Sequence, residues 1–365
     1  MFTAARLIRP AIAELEPYTP ILPLAVLAAR LGLPIERLVK MDANENPYGP
    51  APKALAAIAN EAYYHIYPDP GHTRLRPALA EYTSHPAEQI VCGAGADELI
   101  DLILRLCLAP GDAVIDCPPT FGMYSFDTGV CGGRVVAVPR RADFSLDLPA
   151  IEQAVATSGA KVLFLTSPNN PTGNLMPPEE LARLLRLPLL VVVDEAYIEF
   201  AGIGQGFAPW VSRHENLAVL RTFSKWAGLA GLRVGYGLFP PWLAEQLWKI
   251  KQPYNVSVAG QEAAIASLED RAYLLANVAR IVAERERLRP RLAELPYLRP
   301  VPSAANFILC RVVERSAREL KQTLERQGVL VRYYSSALLR DYIRVSPGTP
   351  QQSEALLAAL HALAA

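Results

Sequence analysis

Val191-Val192-Val193-Asp194-Glu195-Ala196-Tyr197 passes without a break from β-branched residues to two carboxylates. With Leu189 and Leu190 ahead of them, the three valines are apolar on both faces. A strand covered on both sides, inside a mostly parallel sheet, has that character. Similar short apolar runs occupy residues 113–117, 134–138, 161–166, 217–220 and 234–239, separated by helical stretches or turns. Residues 96–108 read as a helix, because Leu99, Ile100, Ile103, Leu104 and Leu106-Cys107 recur at helical spacing before Pro110-Gly111-Asp112 ends it. The alternation predicts an α/β domain over residues 44–254 with helices on both faces of its sheet. Open sheets of this kind bind ligands at the carboxyl ends of their strands, which is where Asp194 falls.

After Tyr254 the texture changes. A long helical stretch over residues 261–295, with a break near Asp270 and Arg271, gives way to strand, helix, strand and strand. These fall at 306–312, 317–327, 329–334 and 342–345, and a helix over 351–363 follows. Residues 255–365 are therefore expected to form a smaller α+β domain. The proline-interrupted residues 1–43 are expected to be an arm of that domain, covering the site or a partner subunit.

Composition narrows the function. The 365 residues carry 36 Lys plus Arg against 36 Asp plus Glu, a balance that argues for neither nucleic-acid nor membrane partners. Cys92, Cys107, Cys117, Cys131 and Cys310 form no C-x-x-C pair and read as reduced thiols. The five histidines have no metal-ligand spacing, so no metal site is expected. No apolar run approaches membrane-spanning length, and no cleavable leader is apparent; the expected location is the cytoplasm.

Three features at strand ends bear on one chemistry. Lys225, in Thr222-Phe223-Ser224-Lys225, follows a buried strand; poor solvation lowers an amine's pKa and prepares it to form a Schiff base. Asp194 can keep a pyridine nitrogen protonated, which turns the ring into an electron sink, and Tyr197 can reach the ring's phenolic oxygen. Ser167-Pro168-Asn169-Asn170-Pro171-Thr172-Gly173 is a rigid loop that can aim the Asn170 amide at the same oxygen. Taken singly, each has a plain structural reading as a loop lysine, a helix-start carboxylate or a turn. Gly93-Ala94-Gly95-Ala96-Asp97-Glu98 opens the helix from Ala96 and offers amides to an anion. It is not a dinucleotide fingerprint, because Glu98 stands at the third glycine position. Ser224 and Arg233 add a hydroxyl and a guanidinium matched to phosphate oxygens. Residues 202–206, also glycine-rich, have no strand feeding them and read as a flexible loop.

Together these residues make the chain resemble the fold-type I pyridoxal-phosphate aminotransferases, and among them most the histidinol-phosphate aminotransferase family. The similarity runs from about Tyr18 to Leu363. It is carried by Asp42-Ala43-Asn44-Glu45-Asn46-Pro47, Tyr67-Pro68-Asp69-Pro70, Pro118-Pro119-Thr120-Phe121-Gly122, Asp194-Glu195-Ala196-Tyr197 and the stretch from Ser224-Lys225 to Gly231-Leu232-Arg233. The resemblance implies that Lys225 carries pyridoxal 5′-phosphate as an imine and later moves the proton at the substrate's Cα. It implies Asp194 on the ring nitrogen, Tyr197 and Asn170 on the 3-oxygen, and Phe121 stacked on the ring. The phosphate would take the Ala96 and Asp97 amides, Ser224, Arg233 and Thr222, with Tyr67 reaching in from a neighbouring subunit of a homodimer with shared sites. Arg344, Arg332, Tyr18 and Asn44, together with Tyr67 and Asn170, would hold the substrates, a small-molecule amino donor and a 2-oxo acid acceptor.

The implied reaction converts L-histidinol phosphate and 2-oxoglutarate to imidazole-acetol phosphate and L-glutamate, a step of histidine biosynthesis. Rival readings are an aromatic-amino-acid aminotransferase, a threonine-phosphate decarboxylase-like enzyme, and a non-catalytic cofactor-binding regulator. Three positions depart from the family pattern. Trp226 follows the lysine and is expected to make the adjoining wall bulkier, Tyr333-Tyr334 follows Arg332, and Pro347 follows the arginine strand. All three are expected to touch the substrate side.

Overall fold

The structure is a computed structural model that describes residues 4–15 and 22–363. Its centre is a seven-stranded sheet. In spatial order the strands are Ile90–Gly93, Gly235–Leu238, Leu217–Thr222, Leu190–Asp194, Val162–Thr166, Ala113–Asp116 and Arg134–Ala137. Only Gly235–Leu238 runs antiparallel to its neighbours. The remaining pairings are parallel, so the carboxyl ends of Leu190–Asp194, Leu217–Thr222, Val162–Thr166 and Ala113–Asp116 share one edge.

The uniform apolar character of these strands comes from burial on both faces. Leu163, Leu165, Val191, Val193 and Val219 enter one core; Val162, Phe164, Val192, Ala218 and Leu220 enter the other. Neighbours in sequence thus point to opposite sides, as the two-residue period of a strand requires. The second core is closed by the helix Ala96–Cys107, which buries Leu99, Ile100, Ile103 and Leu104. Asp97 and Glu98 in its first turn complement the positive end of its dipole.

The strand Ile90–Gly93 was not expected from the sequence. It spans four residues and pairs antiparallel with Gly235–Leu238. Residues 202–206, expected to be flexible, include a short 3₁₀ turn at Ile203–Gln205, and the Phe207 amide just beyond donates to Glu195.

The smaller unit has a four-stranded antiparallel sheet in the order Arg332–Tyr333, Tyr342–Val345, Ile308–Val312 and Leu298–Pro300. Ala317–Arg326 and Pro350–Ala362 are its helices, the latter opened by a capping box at Thr349. The single strand expected over residues 329–334 is two. Val329–Leu330 pairs parallel with Val39–Lys40, then Arg332–Tyr333 joins the antiparallel sheet.

Two expected boundaries need correction. The helices Val258–Glu269 and Arg271–Ala293 meet at Asp270. The first buries Ala263, Ala264 and Leu268 in the large core, and Leu274, Val278 and Ile281 of the second do the same. The small core takes over only at Leu288 and Leu292, so the change of unit lies within a helix and not at residue 254. A helix that crosses from one core to another carries no turn signal at the crossing. The arm is likewise divided: Val39 and Met41 join the small unit's core, whereas Arg9 donates to Val130 O at 2.6 Å beside the large domain.

Candidate active site

Parallel pairing sets Asp194 opposite Leu220, two residues short of the end of the neighbouring strand. Lys225 follows three residues beyond that end, which brings an amine and a carboxylate to one edge. Asp194 is 4% exposed. Its Oδ2 accepts from Tyr124 Oη at 2.7 Å and its Oδ1 from the Ala196 amide at 3.0 Å. Tyr124 also shares a 2.8 Å hydrogen bond with Thr166 and stacks on Phe164 with ring centroids 4.9 Å apart. Burial pushes the Asp194 carboxyl up to about 6, against these bonds that hold it down. A carboxylate in such a place is stabilised by a cation brought to it.

Lys225 Nζ donates to Ala43 O at 3.3 Å. Burial, and then the nearby Arg344 charge, lower its pKa to about 8. Tyr197 lies beneath it, with Nζ 5.9 Å from the ring centroid, and its hydroxyl accepts from Asn44 Nδ2 at 3.2 Å. The opening motif is a strap that ties these groups together. Asp42, Ala43 and Asn44 present consecutive carbonyls to Arg344 (2.8 Å), Lys225 (3.3 Å) and Asn306 (2.9 Å). Asn44 has φ +56°, a left-handed conformation that asparagine tolerates better than most residues.

On the far side of Lys225 is a cup for an anion. The helix Ala96–Cys107 begins at Gly95, whose φ is +82°. A Cβ there would come within 2.2 Å of Arg233 Nη2, and one on Gly235 within 2.4 Å of the Ala96 amide. The absence of side chains at both positions therefore lets arginine and backbone amides converge. Arg233 donates to Ser224 Oγ at 3.3 Å and to Asp97 Oδ2 at 2.9 Å, and Thr222 Oγ1 donates to Ser224 Oγ at 2.9 Å. Glu98 braces the cup from below: its Oε2 accepts from the Ala94 amide at 2.5 Å and from Asn255 Nδ2 at 2.7 Å.

Two compartments meet at Phe121, Asn170, Tyr197 and Lys225. The smaller, about 140 Å³, is bounded by Asp194, the cup and Lys225. The larger, about 400 Å³, opens toward Arg332, Tyr334 and Arg344. Arg332 and Arg344 face each other across paired strands. Arg344 is 6% exposed and is held by Asn170 Oδ1 at 2.6 Å and Asp42 O at 2.8 Å, while its Nε is buried without a partner. A lysine with a lowered pKa, a buried carboxylate, an anion cup and a pair of arginines make a site for a cationic ring with a phosphate, plus an anionic substrate. The residues present therefore fit pyridoxal 5′-phosphate.

Of the residues expected at the site, Ala96, Asp97, Phe121, Asn170, Asp194, Tyr197, Thr222, Ser224, Lys225 and Arg233 line the smaller compartment. Asn44, Arg332 and Arg344 line the larger. Tyr67 does not reach either; it is 77% exposed and stacks on Tyr254 at 4.5 Å. Tyr18 lies outside the described residues. The expectation for Trp226 is overturned. Its indole is fully buried, stacked on Tyr82 at 5.5 Å, because the chain turns the residue after Lys225 away from the cavity. Tyr333 packs against the small unit's core and only Tyr334 of that pair lines the site. Tyr124, Asp116, Ser346 (whose Oγ accepts from the Asn44 amide and donates to Asn44 Oδ1, both at 2.9 Å) and the Arg221–Glu195 pair were missed. The last is fully buried at 2.8 Å beside Asp194, and its sequence signal was a charged residue inside an apolar strand. Among the described residues, no three His, Cys, Asp or Glu are grouped to hold a metal ion.

The aminotransferase class I and II family matches residues 36–360. A histidinol-phosphate aminotransferase of Roseiflexus castenholzii is 55% identical over 366 residues, covering 98% of both chains. A chloroplastic one of Nicotiana plumbaginifolia is 53% identical, covering 98% of this chain and 87% of that one. The crystal structure of histidinol-phosphate aminotransferase from Sinorhizobium meliloti in complex with pyridoxal-5′-phosphate superposes with a TM-score of 0.88 at 31% identity, covering 100% and 99% of the two chains. The chain thus belongs to the aminotransferase class I and II family, among its pyridoxal-phosphate-dependent histidinol-phosphate aminotransferases.

Proposed function

We propose that the protein transfers the amino group of L-histidinol phosphate to 2-oxoglutarate, giving imidazole-acetol phosphate and L-glutamate. The observation that carries this reading is the junction of the two compartments at Lys225, with a carboxylate and anion cup on one side and two arginines on the other. When bound, pyridoxal phosphate supplies a cationic ring that accepts the electron pair released at the donor's Cα.

This chain's residues do the rest. Lys225 would hold the cofactor through its amine and, when that amine is free, would take the proton from the donor's Cα and pass it on. Asp194 holds the ring nitrogen's proton in place, oriented by Tyr124 and the Ala196 amide. Tyr197 and the Asn170 Nδ2 donate to the ring's oxygen, and Phe121 covers a ring face. The Ala96 and Asp97 amides, Thr222, Ser224 and Arg233 hold the phosphate.

Arg344 and Arg332 take the anionic end of either substrate, a phosphate ester in one half-reaction and a carboxylate in the other. A homodimer is part of the proposal: Tyr67, with the exposed Tyr63, Tyr64 and Ile66 beside it, lines neither compartment of its own site and suits a neighbouring copy's cup. So is a cytoplasmic location, where the five unpaired cysteines stay reduced.

The test compares amino donors with 2-oxoglutarate as acceptor, reading glutamate formed. The proposal expects kcat/KM for L-histidinol phosphate to exceed that for phenylalanine or tyrosine. The reverse order would make the chain an aromatic-amino-acid aminotransferase, and carbon dioxide release from threonine phosphate would make it a decarboxylase.

A further inference from the structure

Asp116 ends the strand Ala113–Asp116 at the same edge as Asp194, yet the reaction above gives it no task. It lines the larger compartment and is the only carboxylate among the described residues that do so. It is 6% exposed, and its Oδ1 is buried without a hydrogen-bond partner. A buried acceptor in that condition is costly unless a donor reaches it, so each such group asks for an explanation.

The neighbouring Arg140 and Ser125 side chains direct hydrogen bonds elsewhere. Arg140, whose charge acts on Asp116, gives Nε to Cys117 O at 3.3 Å and Nη1 to Phe144 O at 3.1 Å. Ser125, also on the wall, donates to Gly122 O at 3.1 Å. Burial pushes the Asp116 carboxyl up to about 6, although the Cys117 amide and the Arg140 charge both act to hold it down.

The compartment is therefore polar in a directed way, with Arg332 and Arg344 for an anion and one buried carboxylate for an N–H donor. The compartment's lining also includes the Phe121 ring and Leu338 and Leu339, apolar surface that suits a flat ring. We propose that Asp116 is the specificity-determining residue for the amino donor, accepting a hydrogen bond from the ring N–H of an imidazole while the arginines hold the donor's phosphate. The inference rests on the reaction proposed above and names what reads the imidazole. A phenyl ring in the same place would leave the carboxylate unsatisfied, and a site built to bond a ring N–H discriminates strongly against an analogue lacking it.

The test uses two unreactive probes on the holoenzyme, 2-(imidazol-4-yl)ethyl phosphate and 2-phenylethyl phosphate, with dissociation constants measured by calorimetry. Wild-type protein is expected to prefer the imidazole probe by about tenfold to a hundredfold, the range of a charge-assisted hydrogen bond. In Asp116→Asn that preference should shrink by at least about tenfold. A wild-type protein without the preference, or an Asp116→Asn protein that keeps it, overturns the inference.

A second readout needs no variant. The imidazole of the bound probe, followed by NMR, should titrate at higher pH than in free solution, because a facing carboxylate favours the cation. A lower or unchanged value overturns the role of Asp116. Failure of the parent reading is separate: a holoenzyme that binds the imidazole probe preferentially yet does not transaminate L-histidinol phosphate keeps Asp116 and loses the reaction.

Discussion

Lys225 is held in a place that suits its chemistry and costs the fold, so removing its amine should stabilise the cofactor-free protein. Its pKa falls from 10.5 to about 8, first by burial and then by the Arg344 charge. That gap, at about 1.4 kcal/mol per pKa unit, sets an upper limit of about 3.5 kcal/mol on the cost of keeping the amine charged at neutral pH. Lys225→Met keeps the stem and deletes the charge. It also deletes the 3.3 Å hydrogen bond to Ala43 O, worth about 1 kcal/mol. Because Lys225 is only half-buried, water screens part of the remainder. The expected net gain is therefore about 1–2 kcal/mol.

The sign fixes the pH window. A lysine whose folded pKa is depressed weakens the fold in full below about 8, and the penalty fades as pH rises toward 10.5. Urea unfolding of the apo protein at pH 7 and again near pH 10 reads both limits. The variant should be more stable at the lower pH, with the advantage shrinking at the higher. A variant no more stable than wild type at pH 7, or an advantage independent of pH, would refute the account of the lysine's environment.

Three further outcomes follow from the same geometry. Asp194→Asn should lower kcat by about a hundredfold or more, the scale of losing a preorganised charge aimed at the reacting system, and an unaltered Cα-deprotonation rate would sink the ring-nitrogen role. Gly95→Ala places a methyl group 2.2 Å from Arg233 Nη2 at a φ of +82°, so it should weaken pyridoxal-phosphate binding by about tenfold or more in a fluorescence titration. Trp226→Ala should cost about 3–5 kcal/mol in urea unfolding, as for other buried aromatics, while Trp226→Phe should leave the KM for both substrates within about twofold. A substrate-specific rise in KM would return the indole to the cavity wall.

The runs around Val191, Leu163 and Leu217 were legible because strands buried on both faces have no polar side to disguise them. Ile90–Gly93 was not, since four residues ahead of a glycine-rich turn read equally well as the approach to an anion loop. Lys225, Asp194 and Asn170 were legible from their positions at strand ends, which parallel pairing brings to one edge. Tyr124 was not: it lies 70 residues from the carboxylate it orients, and nothing local marks that contact. Asp116 was hidden in the same way, its meaning depending on which neighbours fail to reach it. Trp226 shows the opposite hazard, because adjacency to Lys225 in the chain suggested adjacency in space while the backbone turned the two side chains apart.

The most direct test of the central claim is the absorbance of the holoenzyme mixed with L-histidinol phosphate alone, with no 2-oxo acid present. The account predicts that the visible band of the lysine-bound cofactor is replaced by that of the pyridoxamine form, and that Lys225→Ala shows no such turnover. A band that stays in place with L-histidinol phosphate but is discharged by phenylalanine or tyrosine would contradict the assigned donor. A protein that develops no cofactor band after pyridoxal phosphate is added would contradict the role of Lys225 itself.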